Sequence, residues 1–67
     1  MRVSYNKLWK LLVDKKMSKA DLRKAVGIAP NTMTKLRKDE DVSMSVLLKI
    51  ATVLDCDISE ICEFVKE

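Results

Sequence analysis

Residues 18–38 constrain the fold most, because this stretch carries the start and stop signals of two short helices. Ser18 is a favourable N-cap, and Asp21 three positions later can complete a reciprocal capping box. Gly27, the single glycine of the chain, stands where a helix would end in a left-handed residue. Pro30, the single proline, suits the first turn of a second helix, because its missing N–H would be unpaired there anyway. These signals predict two helices joined by a short turn, over residues 19–26 and 30–37.

The rest of the chain is predicted to be helical as well, because its apolar residues recur at helical spacing. One glycine and one proline in 67 residues also favour helices with short connections over sheets. Ser43 can cap a strongly periodic segment, and Asp57 with Glu60 resembles another capping box. The chain is short enough for one domain, residues 1–67, with a single core. We therefore expect an all-α fold of five helices, the other three at about 4–16, 44–54 and 58–65.

The net charge of +3 conceals a strong asymmetry between the two halves of the chain. Residues 1–38 carry 11 Lys or Arg and 2 Asp, a net charge of +9. Residues 39–67 carry 2 Lys and 8 Asp or Glu, a net charge of −6. The basic half contains both short helices and suits an anionic partner. The acidic run at residues 39–41 precedes the helix at 44–54, where negative charge favours the positive end of the helix dipole.

The residue types argue against an enzyme, a cofactor site and a metal site. The chain has no histidine, and Cys56 and Cys62 cannot complete a tetrahedral zinc site by themselves, so both are expected to be reduced. Nothing resembles a nucleophile–base pair or a glycine-rich phosphate loop. No segment approaches the ~20 apolar residues of a membrane span, and the first residues lack the apolar core of a signal peptide. A cytoplasmic protein without a small-molecule ligand is the expectation.

Two helices separated by a short turn with glycine form a helix-turn-helix, whose second helix usually enters the DNA major groove. The segment from Leu22 to Leu36, with Gly27 between its helices, resembles the helix-turn-helix of the Cro and phage-repressor-like (XRE-type) transcription regulators of bacteria and phages. That family usually shows a leucine–alanine pair, three variable residues, glycine, an aliphatic residue and serine before the second helix. The resemblance extends over about residues 5–64. It implies a compact five-helix, lambda-repressor-like DNA-binding domain whose helix-turn-helix covers about residues 18–38.

The sequence departs from the family pattern at three places. Arg23 stands where a small alanine is usual, so either the two helices lie farther apart or the arginine stem lies along the surface. Ala29 replaces the usual serine N-cap, which typically costs ~1 kcal/mol of helix stability. The acidic run at residues 39–41 replaces a glycine-containing loop, which argues against a phosphate contact from that loop.

The predicted helix at 30–37 has a polar face, because Met33 and Leu36 fix its buried side. Asparagine can pair with an adenine edge, threonine can offer its hydroxyl or pack its methyl group against thymine, and lysine can reach guanine or phosphate. In the resembled family the corresponding positions contact base edges and phosphates. The resemblance implies base contacts from Asn31, Thr34 and Lys35. It implies DNA-backbone contacts from Ser18, Lys19, Pro30 and Lys38, although Lys35 and Lys38 could serve in either class.

The expected partner is double-stranded DNA with a two-fold related operator, bound by a homodimer with half-sites about one DNA turn apart. Phe64 and Val65 of the predicted C-terminal helix are expected at the dimer interface, since a small monomer that exposes them would associate. Trp9 either covers the edge of the core or joins a subunit contact. The alternative is a helical protein-interaction module, antitoxin- or antirepressor-like, with the acidic residues 39–67 as its working surface.

Overall fold

The chain folds into four α-helices and two short strands, with one strand near each end of the sequence. The computed structural model describes all 67 residues. In chain order the elements are β1 (Arg2–Ser4), α1 (Asn6–Asp14), α2 (Lys19–Val26), α3 (Pro30–Arg37), α4 (Met44–Leu54), a single 3₁₀ turn (Ile58–Glu60) and β2 (Glu63–Val65). The two strands pair antiparallel, with Val3 opposite Phe64. None of the helices has the length and apolar character needed to cross a bilayer.

The bounds predicted for α2, α3 and α4 are confirmed, and so are the residues that cap them. The Ser18 hydroxyl accepts a hydrogen bond from the Asp21 N–H at 3.0 Å, and the Asp21 carboxylate accepts one from the Ser18 N–H at 3.0 Å. Gly27 ends α2 with a left-handed φ of 78°. Pro30 opens α3, and no side chain caps that helix. Local signals therefore fix both ends of the turn, because the left-handed Gly27 ends α2 and Pro30 begins α3.

The prediction of a fifth helix over residues 58–65 is wrong, because the chain has four α-helices rather than five. The capping box of Asp57 and Glu60 is present, but it starts only the 3₁₀ turn. Ile61 is completely buried and anchors the chain against the core just after that turn. Phe64 and Val65 then continue as β2, since aromatic and β-branched residues suit an extended strand that has a partner.

The start of the chain also differs from the prediction, because Arg2–Ser4 forms β1 and the first helix begins at Asn6 instead of residue 4. The Asp39 carboxylate accepts a hydrogen bond from the Tyr5 N–H at 3.0 Å and another from the Arg2 guanidinium at 3.2 Å. The Tyr5 hydroxyl donates to the Glu40 carbonyl at 2.8 Å. The acidic run was expected to stabilise the start of α4 through the helix dipole. This expectation is corrected for Asp39, because its carboxylate holds the start of α1 instead.

The core is a single cluster to which every helix contributes. Leu22 of α2 and Leu36 of α3 are completely buried, which fixes the inward sides of both short helices. Ala25 is exposed, so Leu22 is the one fully buried residue of α2. Trp9 is half-buried and packs against the core edge. The buried apolar residues are Tyr5, Leu8, Leu12, Leu22, Ile28, Met33, Leu36, Leu47, Ile50, Leu54 and Ile61.

Candidate nucleic-acid interface

One side of α3 is exposed, because the large apolar side chains of the helix point into the core. Met33 and Leu36 are buried, as the spacing predicted. Asn31 and Lys35 lie on the exposed side, and Lys38 is exposed at the end of the helix. The side-chain hydrogen bonds of α3 involve only Thr34 and Arg37, so the Asn31 amide keeps its donors and acceptor for a partner.

Thr34 is half-buried and already engaged within the helix. Its hydroxyl donates to the Pro30 carbonyl at 3.0 Å and accepts a hydrogen bond from the Arg37 guanidinium at 3.3 Å. The hydroxyl hydrogen is therefore committed in the free protein, and the methyl group is the part of Thr34 best suited to a base. The same bonds align Pro30, Thr34 and Arg37 along one face of α3.

At the start of α2, Ser18 is occupied by the capping box and Lys19 by an aromatic ring. The N–H and then the hydroxyl of Ser18 lower the pKa of Asp21, since both stabilise its charged form. The Lys19 ammonium lies 4.4 Å from the centroid of the Trp9 ring, which orders a side chain that is otherwise exposed. Ser18 and Lys19 are thus placed beside each other at the helix end where a DNA phosphate was expected.

A cleft of about 270 Å³ separates the start of α2 from α3 and is predominantly cationic. Lys19 and Arg23 enter it from α2, and Arg37 enters it from α3. Pro30 and Thr34 form the adjoining wall on α3. The cleft thus joins three of the predicted contact residues to two arginines that the sequence analysis had not assigned to the site. The remaining lining residues are Ala20 and Met33.

The sequence carried a signal for both of these arginines. Arg23 was recognised as a departure from the family pattern, and the structure places its half-buried side chain at the cleft between α2 and α3. Thr34 follows Pro30 by four residues and Arg37 follows Thr34 by three, which is the spacing of one helix face. That spacing could have added Arg37 to the predicted set.

The two residues expected at a dimer interface lie on β2 instead of a helix. Phe64 is 73% exposed, whereas Val65 is half-buried. Phe64 borders an apolar groove of about 380 Å³, together with Met44 of α4 and Ile58 of the 3₁₀ turn.

Both cysteines, Cys56 and Cys62, are free thiols. Burial raises the pKa of each thiol, so both are protonated at neutral pH.

A family model described as the Cro/C1-type helix-turn-helix DNA-binding domain matches residues 7–67. The chain belongs to this family. A solved structure, that of the transcriptional regulator VanUg in crystal form II, is also similar, with 55% sequence identity and a TM-score of 0.97. The match covers 98% of this chain and 88% of that chain. No curated protein matches the sequence.

Membership of the Cro/C1-type family confirms the recognition that the helix-turn-helix at residues 18–38 suggested. It also confirms a compact, mainly helical DNA-binding domain, with the helix count corrected to four. Arg23 and the acidic residues 39–41 are places where this chain departs from the usual family pattern. The structure gives both a location, at the cleft between α2 and α3 and beside the start of α1.

Proposed function

We propose that this chain is a sequence-specific transcription regulator that places α3 in the major groove of double-stranded DNA. The observation that carries the proposal is the exposed polar side of α3, which adjoins a cationic cleft. A major groove about 12 Å wide admits one α-helix, and α3 is supported from behind by buried Met33 and Leu36. The similarity to a protein described as a transcriptional regulator supports the same function.

Base reading is assigned to Asn31, Thr34 and Lys35 of α3. The unbonded amide of Asn31 can donate to and accept from one adenine edge. Lys35, one turn later, can reach the acceptors of guanine. Thr34 offers its methyl group to thymine, because its hydroxyl hydrogen is held by the Pro30 carbonyl. In this arrangement Asn31, Thr34 and Lys35 contact successive base pairs, beginning at the start of α3.

Backbone contacts are assigned to the positions around this face. Lys19 and Ser18 lie at the start of α2, and Pro30 lies at the uncapped start of α3, where free N–H groups and the helix dipole favour phosphate. Lys38 follows α3 and extends the cationic surface at the other end. These contacts fix the position of the protein on the duplex and carry no sequence information.

A homodimer on a two-fold related operator completes the proposal. Exposed Phe64 and neighbouring Val65 are assigned to the subunit contact, now as residues of β2. Exposed Met44 and Ile58 extend the apolar surface around Phe64. This surface also supports the second candidate, a protein-interaction module, because Phe64 is exposed within the acidic half of the chain.

The deciding experiment is selection of bound duplexes from a random pool, followed by titration of the selected and a scrambled duplex at several salt concentrations. A dimer that neutralises roughly four to eight phosphates should show a log–log salt slope of about −4 to −7. The selected duplex should also be bound more tightly than the scrambled one. Salt-independent binding, or none at low salt, overturns the proposal and favours the protein-interaction module.

A further inference from the structure

We propose that the cleft between α2 and α3 is a seat for one phosphate group, in which Arg23 and Arg37 hold the anion beside Lys19. This inference rests on the proposed function for the identity of the ligand, a phosphodiester of the DNA backbone. It adds two contact residues that lie outside the set implied by the family resemblance. It also gives a function to Arg23, which stands where the family usually has alanine.

The first argument is the absence of counter-charge. The protein has two ion pairs, Arg2 with Asp39 and Lys7 with Glu63. Neither pair includes any of the three cations that line the cleft. The acid closest in sequence, Asp21, accepts a hydrogen bond from the Ser18 N–H in the capping box at the start of α2. Cations that line one cleft repel one another, and an anion bound in the cleft reduces that repulsion.

The second argument is the number of free donors. A guanidinium has five N–H donors in a fixed plane. Arg37 uses one of its groups to donate to the Thr34 hydroxyl at 3.3 Å, which orients the side chain along α3. The side chain of Arg23 makes no hydrogen bond within the protein, although the residue is half-buried. Planar guanidinium groups can bind two phosphate oxygens at once, so the cleft holds unused donors with the geometry of that ligand.

The third argument is the position of the cleft. It lies between the start of α2 and the face of α3 formed by Pro30 and Thr34. A strand that passes the uncapped start of α3 therefore passes the opening of the cleft. Ala20 and Met33 are its apolar lining and offer no hydrogen-bonding group to a base edge. The arginines are thus expected to raise affinity for every duplex without changing base preference.

The test compares three variants on the selected and scrambled duplexes by fluorescence anisotropy. Arg23→Ala should weaken both duplexes by the same factor, roughly ten- to a hundredfold, and reduce the magnitude of the salt slope by about one per protomer. Lys24→Ala is the matched control, because Lys24 is the next residue of α2, is exposed and lies outside the cleft. It should change affinity by only about twofold. Arg23→Lys keeps the charge but loses the planar donors, so it should recover only part of the affinity.

Two results overturn the phosphate seat while leaving DNA binding intact. One is an equal effect of Arg23→Ala and Lys24→Ala, which means that net charge alone is responsible. The other is an effect of Arg23→Ala on the selected duplex only, which makes Arg23 a base reader. Circular dichroism and thermal unfolding establish that each variant folds. If Arg23→Ala does not fold, Arg37→Ala provides the same comparison from α3.

A second measurement tests the seat without DNA. Inorganic phosphate is compared with chloride at matched ionic strength, and the thermal midpoint is recorded for wild type, Arg23→Ala and Lys24→Ala. A phosphate-dependent rise in wild type and Lys24→Ala that is smaller in Arg23→Ala supports the seat, even if no duplex binds and the proposed function fails. Equal rises in all three proteins, as expected from general salt effects, overturn the phosphate seat.

Discussion

The ammonium group of Lys19 lies 4.4 Å from the centroid of the Trp9 ring, so a side chain of α1 holds the first residue of α2. This contact connects the edge of the core to the cationic cleft, because Trp9 packs on the core and Lys19 lines the cleft. A cation–π contact at an exposed site contributes about 0.5–1 kcal/mol. We therefore expect Trp9 to influence DNA binding through the position of Lys19.

We expect Trp9→Leu to weaken binding to all duplexes by about two- to fivefold, the factor that corresponds to loss of the cation–π contact. Lys19→Ala should weaken all duplexes more strongly, because it also removes the phosphate contact. Trp9 is the single tryptophan, so its fluorescence should change when Lys19 is removed or when DNA binds. Lys16→Ala, at an exposed lysine outside the cleft, is the control. Unchanged affinity of Trp9→Leu contradicts this role.

Replacement of Asn31 tests base reading on α3. Asn31→Ala should reduce discrimination at one operator position by about 1–3 kcal/mol, because its bidentate contact with one base is lost. Competition binding with operators changed at single positions measures this loss. Lys19→Ala provides the contrast, since it should leave the order of preference among those operators intact. An unaltered preference in Asn31→Ala removes Asn31 from the base-reading set.

Asp39 is expected to stabilise the fold through the start of α1. Asp39→Ala leaves the Tyr5 N–H without its acceptor, which should lower the free energy of unfolding by about 1–3 kcal/mol. Asp39→Asn keeps an oxygen acceptor and tolerates the positive φ of 56°, so it should lose only about 0–1 kcal/mol with the Arg2 ion pair. Urea unfolding compares them with Asp41→Ala as the exposed control. Equal midpoints for Asp39→Ala and wild type contradict the assignment.

The capping box of α2 should make stability depend on pH in the acid range. Hydrogen bonds from Ser18 lower the pKa of Asp21 below its ordinary value of 3.8. Since the folded pKa is below the unfolded one, the carboxylate's contribution is complete above about pH 5 and is lost as the pH falls through the folded pKa. Thermal unfolding of wild type and Asp21→Asn should therefore differ more at about pH 6 than at about pH 2.5. A constant difference would show that the charge of Asp21 is not involved.

Phe64→Glu should abolish self-association, because it places a charge at the centre of the exposed apolar surface of β2. Sedimentation equilibrium of wild type and variant measures the effect. Val13→Glu is the matched control, since Val13 is 74% exposed and lies on α1. Wild type and Val13→Glu are expected to be dimeric at high micromolar concentration. A monomeric wild type, or a Phe64→Glu dimer as tight as wild type, removes this surface as the interface.

Local signals predicted the helices, whereas the strands depended on distant contacts. The bounds of α2 and α3 followed from Ser18, Gly27 and Pro30, whose effects act within one helical turn. The helix predicted at residues 58–65 failed because the partner of Phe64 is Val3, at the other end of the sequence. Periodicity within a short window contains no information about such a pairing.

The sequence also predicted only part of the candidate site. The exposed side of α3 followed from its buried residues, and the contacts assigned to Asn31 and Lys35 remain predictions. The cleft was missed because the direction of Arg23 depends on how α2 and α3 approach each other. A departure from the family pattern identified the residue, but only the packed helices show that it shares a cleft with Arg37.

The pairing of β1 with β2 also has a consequence for the order of folding. It closes a loop of about sixty residues, whereas the turn between α2 and α3 closes locally, and the entropy cost of closure rises with loop length. We expect the helix-turn-helix to form early and the two strands to pair last. Phe64 then reaches its place beside Val3 only in a finished monomer. Self-association through this strand would thus select fully folded chains and leave nascent ones unpaired.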